Sequence, residues 1–194
     1  MKIALIRHGR TEWNAQHRVQ GRIETHLSAE GRAEMERLRP PPEFVHVRAY
    51  CSPQTRARET AALLGLADPI LDERLREQNW GSWEGLTKAD MIARDGEDCF
   101  VRAGFGMDFR PPGGEATREL AARVKDFLFD AAHSSGDAVA VAHMGVLRTA
   151  FALATGWDMF STMPADLDLK AALILRIEAD TVAVAQLNAP LGRR

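Results

Sequence analysis

Lys2-Ile-Ala-Leu-Ile-Arg7-His8-Gly9 is the stretch from which the rest of the chain can be read. Its apolar run is of strand length, opened by a charge and closed by glycine, which suits the centre of a parallel sheet better than a helix. In open α/β sheets ligands sit beyond the carboxyl ends of the strands. The residues following this strand, a fixed cation and an imidazole, are therefore the first candidates for chemistry, and Gly9 lets a ligand approach the main chain. A second stretch repeats the pattern: Asp137-Ala-Val-Ala-Val-Ala-His143 ends in another imidazole, two residues before Gly145. If both strands run parallel, His8 and His143 reach one edge of the sheet from opposite ends of the chain.

Composition narrows the possibilities. With 194 residues, 45% hydrophobic and 27% charged, the chain is long enough for one well-packed domain over residues 1–194 and short for two. Its 25 Lys and Arg are offset by 27 Asp and Glu, so no global basic field points to nucleic acid and any anion site must be local. No run approaches membrane-spanning length, and the residues before Arg7 are too few for a secretory apolar region. Two cysteines without C-x-x-C spacing do not make a disulfide framework. These features predict a cytoplasmic protein with neither a membrane nor a nucleic-acid partner.

Along the chain, residues 28–39 read as a helix capped by Ser28 and stopped by Pro40-Pro41-Pro42. Residues 44–51 read as a strand, Ser52-Pro53 as the cap and first turn of a helix through Leu64, and 70–75 as a short strand. Residues 76–112 have neither period; they carry Trp80, Trp83, Phe100, Phe105 and Phe109 among glycines and read as a lid-like excursion with one helix near 87–94. A helix over 115–133 presents one apolar stripe, and another over 146–155 ends at Gly156. Residues 171–177 and 181–187 read as two final strands, and the 191–194 tail as frayed. The sum is an α/β chain, a three-layer α/β/α sandwich with a mostly parallel central sheet.

Arg56 falls one turn into the helix after the second strand, on the same edge as the two imidazoles, and a guanidinium offers paired donors to phosphate oxygens. The Gly145 segment opens a helix whose first N–H groups favour an anion. No H-x-H or H-E-x-x-H spacing is present, so neither a metal site nor a cofactor is expected.

Arg7-His8-Gly9-Arg10-Thr11-Glu12-Trp13-Asn14, Arg18-Val19-Gln20-Gly21 and Leu27-Ser28-Ala29-Glu30-Gly31 together resemble the opening signature of the histidine phosphatase superfamily, the phosphoglycerate mutase-like family. Ser52-Pro53-Gln54-Thr55-Arg56-Ala57-Arg58-Glu59-Thr60 is similar to its second motif, and Leu75-Arg76-Glu77 through Gly85 to its third. Gly113-Gly114-Glu115 and Val141 through Arg148 extend the likeness over most of the chain. The resemblance implies His8 as a phosphoryl-accepting nucleophile, Arg7, Arg56, His143 and Asn14 as ligands to phosphate oxygens, and Glu77 as the proton-donating carboxylate. Gln20, Gly21, Met144, Arg10 and Thr11 become candidate lining residues. Met144 stands where members often have Gly, Asn or Ala, a change that narrows a pocket but spares the backbone N–H.

The activity so implied is a metal-independent phosphomonoesterase acting on a small phosphorylated metabolite, with oligomeric state left open. The alternatives are a cofactor-dependent phosphoglycerate mutase and a non-catalytic phosphate-binding regulatory module. Mutases carry an insert with paired arginines; residues 86–112 contain only isolated Arg94, Arg102 and Arg110, which favours hydrolysis. The phenylalanines of 100–109 hint at an apolar leaving group, whereas Trp80 and Trp83 read as packing. His17, His26, His46 and His133 read as surface or capping residues, and Cys51 as buried filler.

Overall fold

The computed structural model describes residues 1–134 and 136–194. Six strands form the main sheet: β1 (Lys2–Arg7), β3 (Arg48–Cys51), β4 (Ile70–Leu71), β5 (Ala138–Ala142), β6 (Ala172–Glu178) and β7 (Thr181–Ala189), in the order β4-β3-β5-β1-β6-β7. The pairs β3–β4, β3–β5 and β1–β5 are parallel, while β1–β6 and the β6–β7 hairpin are antiparallel. A separate two-stranded ribbon joins β2 (Leu38–Arg39) to β8 (Gly192–Arg193).

Alternation along β1 divides the core into two layers. Ile3 and Leu5 pack with Leu120, Val124 and Phe127 of α6 (Thr117–Ala132) and with Leu147 and Phe151 of α7 (Met144–Thr155). Ala4 and Ile6 face the other way, onto Met35 of α2 (Ala29–Glu36) and Ala57 and Ala61 of α3 (Thr55–Leu63). Residues buried on both faces of a sheet leave no polar positions, which is why Ile3–Ile6 of β1 and all of β5 are unbroken apolar runs.

Register then places the chemistry. Arg7 pairs with Ala142 across β1 and β5, and the His8 N–H donates to the Ala142 carbonyl at 2.9 Å. His8 and His143 thus follow equivalent positions on neighbouring strands. Ser52 ends β3 on the far side of β5, its N–H donating to the Val141 carbonyl at 2.9 Å. Three adjacent strands deliver three side chains to one rim.

Several local expectations are corrected. The helix after Ser28 stops at Glu36, and Leu38–Arg39 turn out to pair with the tail that looked frayed; Arg194 N–H also donates to the Arg37 carbonyl at 3.0 Å. Residues 42–44 form a 3-10 turn with Phe44 fully buried, so the second strand begins only at Arg48. Residues 73–75 form another such turn, leaving β4 two residues long.

The 76–112 segment adds no strand to the sheet. It holds α4 (Lys88–Asp95), capped by Thr87 in a reciprocal capping box, and the short α5 (Cys99–Arg102). Trp83, Met91, Cys99 and Ala103 give it a small core of its own, and the Trp83 indole N–H donates to Asp95 at 2.6 Å. Among the described residues no helix is long and apolar enough to cross a membrane.

Candidate active site

His8 is buried at the end of β1 with its Nδ1 2.7 Å from the Gly9 carbonyl. A carbonyl accepts only from a protonated nitrogen, so the proton sits on Nδ1 and Nε2 carries the free lone pair. The His143 ring lies beside it, centroids 5.1 Å apart and tilted by 57°. His143 Nε2 is 2.8 Å from Ser52 Oγ, which also receives the Gln54 N–H at 3.4 Å. The Ser52 hydroxyl can donate to that Nε2, which leaves the His143 proton on Nδ1.

That Nδ1 is buried without a partner among the described residues, and so are Arg7 Nε and Arg56 Nε. Buried donors are nearly always satisfied, so three unsatisfied ones around a single imidazole mark a place for an anion. Arg56 is fully buried; its Nη1 donates to the Ile23 carbonyl at 3.0 Å and its Nη2 to the Gly21 carbonyl at 2.8 Å. The fork expected to face a ligand is therefore anchored in part on the wall of its own site.

A cavity of about 280 Å³ opens beside these groups. Arg7, His8, Asn14, Gln20, Gly21, Arg56, Glu77 and Met144 all line it. His143 is fully buried beside the His8 ring. Asn14 Oδ1 accepts from the Thr11 N–H at 3.0 Å, so its amide nitrogen is the end left to donate. Gln20 Oε1 accepts from Thr11 and Thr25 at 3.0 and 2.7 Å and ties the loop together. Gly21 has φ +51°, which strains any other residue, and a Cβ there would lie 2.1 Å from Glu84 Oε1, so Glu84 would have to move. Of the remaining candidates, Thr11 is a buried cap and Arg10 lines an adjoining cavity with Lys170.

Glu77 reaches the cavity from the 76–112 segment. Its Oε1 accepts the Gln78 N–H at 2.8 Å and its Oε2 the Gly145 N–H at 3.1 Å. The start of α7, expected to greet a ligand anion, thus holds this carboxylate. A Cβ on Gly145 would lie 2.3 Å from Glu77 Oε1, which ties glycine there to Glu77.

Sequence reasoning missed Ser52, misread as a helix cap, and Gln54, whose buried amide receives the Glu77 N–H at 2.8 Å and donates to the Gly21 carbonyl at 3.0 Å. His17, exposed as expected, and Trp80, packed on Trp83 and Phe109 as expected, also line the cavity with Arg18. The position of Ser52 directly after a strand was the available signal.

Burial pushes the His8 imidazole well below its ordinary range, reinforced by the charges of Arg56 and Arg7 and only partly opposed by the Gly9 carbonyl. Burial does the same to His143, followed by Arg56 and His8. Both rings stay neutral in the fold and protonate readily in the unfolded chain near pH 6.5, an approximate figure for a free imidazole. The unfolded state then binds more protons, so stability is full above about pH 6.5 and falls by up to about 1.4 kcal/mol per pH unit for each ring below it. Thermal melts between about pH 7.5 and pH 5 should show this loss, and His8→Asn should make the slope shallower.

The fold and site define an α/β protein with paired histidines and paired arginines gathered at the carboxyl edge of its sheet. The chain belongs to the histidine phosphatase superfamily (branch 1), whose family model matches residues 3–190. It is 31% identical over 193 residues to the 2,3-bisphosphoglycerate-dependent phosphoglycerate mutase of Methylobacterium sp. strain 4-46, covering 92% of each chain. It is 32% identical to the 2,3-bisphosphoglycerate-dependent phosphoglycerate mutase 2 of Gloeobacter violaceus over 66% of this chain, a match spanning 62% of that relative's length. Among solved structures, the α-ribazole phosphatase of Shigella flexneri superposes with a TM-score of 0.78 at 25% identity, covering 100% of both chains.

Proposed function

We propose that the protein is a phosphomonoesterase that hydrolyses a small phosphorylated metabolite through a phosphohistidine on His8. The observation that carries this reading is the set of three unpartnered buried donors, Arg7 Nε, Arg56 Nε and His143 Nδ1, around an imidazole whose other nitrogen is locked by Gly9. In the first step the His8 Nε2 lone pair attacks phosphorus, an N–P bond forms and the ester P–O bond breaks. The departing oxygen takes the electron pair of that bond and a proton from Glu77. In the second step water attacks phosphorus and gives its proton to Glu77, and the N–P pair returns to His8. Arg7, Arg56, His143 and the Asn14 amide stabilise charge on the non-bridging oxygens throughout.

Hydrolysis is favoured over return of the phosphoryl group by the arginines of the 76–112 segment. Arg94 is held by Asp95 and Ser82, Arg102 by Asp98, and Arg110 by Glu119 and the Gly114 carbonyl; none of the three lines the catalytic cavity. A substrate carboxylate would find no paired cations from this segment, and water remains the acceptor.

A largely apolar cleft adjoins the catalytic cavity. Trp80 lines both the catalytic cavity and a second cleft of about 260 Å³, where Phe105 and Phe160 stack with centroids 5.1 Å apart near Phe109 and Arg148. Phe100 is not part of it, being packed on Trp83 at 5.1 Å. An aryl or other apolar alcohol fits this lining better than glycerate does.

The test is an assay of inorganic phosphate release from p-nitrophenyl phosphate, phenyl phosphate, glycerol phosphate and phosphoglycerate, with and without chelator. Release equimolar with the alcohol, resistant to chelator and greatest for the aryl esters is expected. Isomerisation of phosphoglycerate without phosphate release would replace this reading with the mutase one.

A further inference from the structure

Arg123, on α6, uses all five of its N–H donors within the fold. Nε and Nη2 grip the Glu115 carboxylate at 2.6 and 2.8 Å, a bidentate pair whose side chains are only 16% and 11% exposed. The remaining donors go to the carbonyls of Arg74, Arg76 and Glu77, at 2.5, 2.7 and 3.1 Å. Glu115 holds the other side: its carboxylate accepts the Asn79 N–H at 3.2 Å, its own N–H donates to the Asn79 carbonyl at 2.8 Å, and its carbonyl receives the Gln78 amide at 2.9 Å. Residues 76–79 lie in neither helix nor strand, so these bonds replace a ladder they do not have.

We propose that the Arg123–Glu115 pair is a positioning device that sets the reach of Glu77 toward the leaving-group oxygen, a role that rests on reading Glu77 as the proton donor. Neither residue lines the catalytic cavity; both act through the main chain on either side of Glu77. Proton transfer demands that donor and oxygen meet within hydrogen-bond reach, and a misplacement of about 1 Å costs on the order of 10²-fold. The bidentate geometry matters as much as the charge, because a lysine ammonium cannot span a carboxylate and three carbonyls at once.

The experiment measures kcat/KM, which reports the steps up to release of the alcohol, for Arg123→Lys and Glu115→Gln on p-nitrophenyl phosphate and on an alkyl phosphate. The first leaving group departs without help and the second needs a proton. Both variants should lose at least about tenfold more on the alkyl ester than on the aryl ester, with orthovanadate affinity kept within about threefold. Equal losses on both esters would mean a merely structural pair, and no loss on either would mean no positioning role; each result overturns the proposal. Glu77→Gln, run in parallel, separates the two levels. If it shows the leaving-group dependence and the Arg123 and Glu115 variants do not, only the positioning role falls. If Glu77→Gln itself shows none, the proton-donor reading falls with it.

Discussion

His8→Ala should lower turnover of every phosphomonoester by about 10⁴- to 10⁶-fold, the range seen when a covalent catalyst loses a member of its nucleophilic machinery. The size follows from what is lost. Without Nε2 no N–P bond can form, and the remaining donors can only bind the ester and polarise it for direct attack by water. The fold should survive, because the change leaves one carbonyl, that of Gly9, without its side-chain donor, at a cost of about 1–3 kcal/mol. Orthovanadate should still bind, more weakly, through Arg7 and Arg56. The decisive measurement uses radiolabelled substrate, rapid quenching in alkali and peptide mapping: native protein should carry an acid-labile label on the peptide containing His8. A label on another residue, or a variant within about tenfold of native activity, would refute covalent catalysis by His8.

The placement of His8 was legible because it depends on short-range facts. Ile3–Ile6 of β1 and all of β5 are buried on both faces, so these runs are apolar without interruption, and each strand ends abruptly at its histidine. Parallel pairing then brings the ends together with no further information. Glu77 is a different case: the 76–112 segment has no period, several glutamates compete, and only the likeness to a family motif singled this one out. Ser52 shows how a correct local rule fails. Ser-Pro before a helical pattern reads as a cap, but the hydroxyl is taken by His143, 91 residues away, and α3 begins at Thr55 without a side-chain cap. The tail failed for the same reason, since the partner strand of Gly192–Arg193 lies at Leu38–Arg39 and nothing local announces it. Nothing in the sequence singled out Arg123. Its role is set by carbonyls 46 to 49 residues earlier, which carry no sequence signal at all.

Glu77→Gln should produce the second large effect and divide it between two rate constants. The amide keeps the size of the side chain and can still accept from the Gln78 or Gly145 N–H, so the cavity wall is preserved. It can neither give nor take the travelling proton. For an alkyl phosphate, kcat/KM should fall by about 10² to 10⁴, the usual worth of positioned proton transfer. For p-nitrophenyl phosphate the loss in kcat/KM should be far smaller, because that leaving group departs as a stable anion. The second step has no such escape: water must still be deprotonated to attack the N–P bond whatever alcohol has left. With a good leaving group, phosphorylation should therefore outrun dephosphorylation, and phosphohistidine should accumulate on His8 to near one per chain. Quenched label in this variant should exceed that in native protein at equal substrate concentration. Equal loss on both esters without accumulation would assign Glu77 to binding, and the proton to another group.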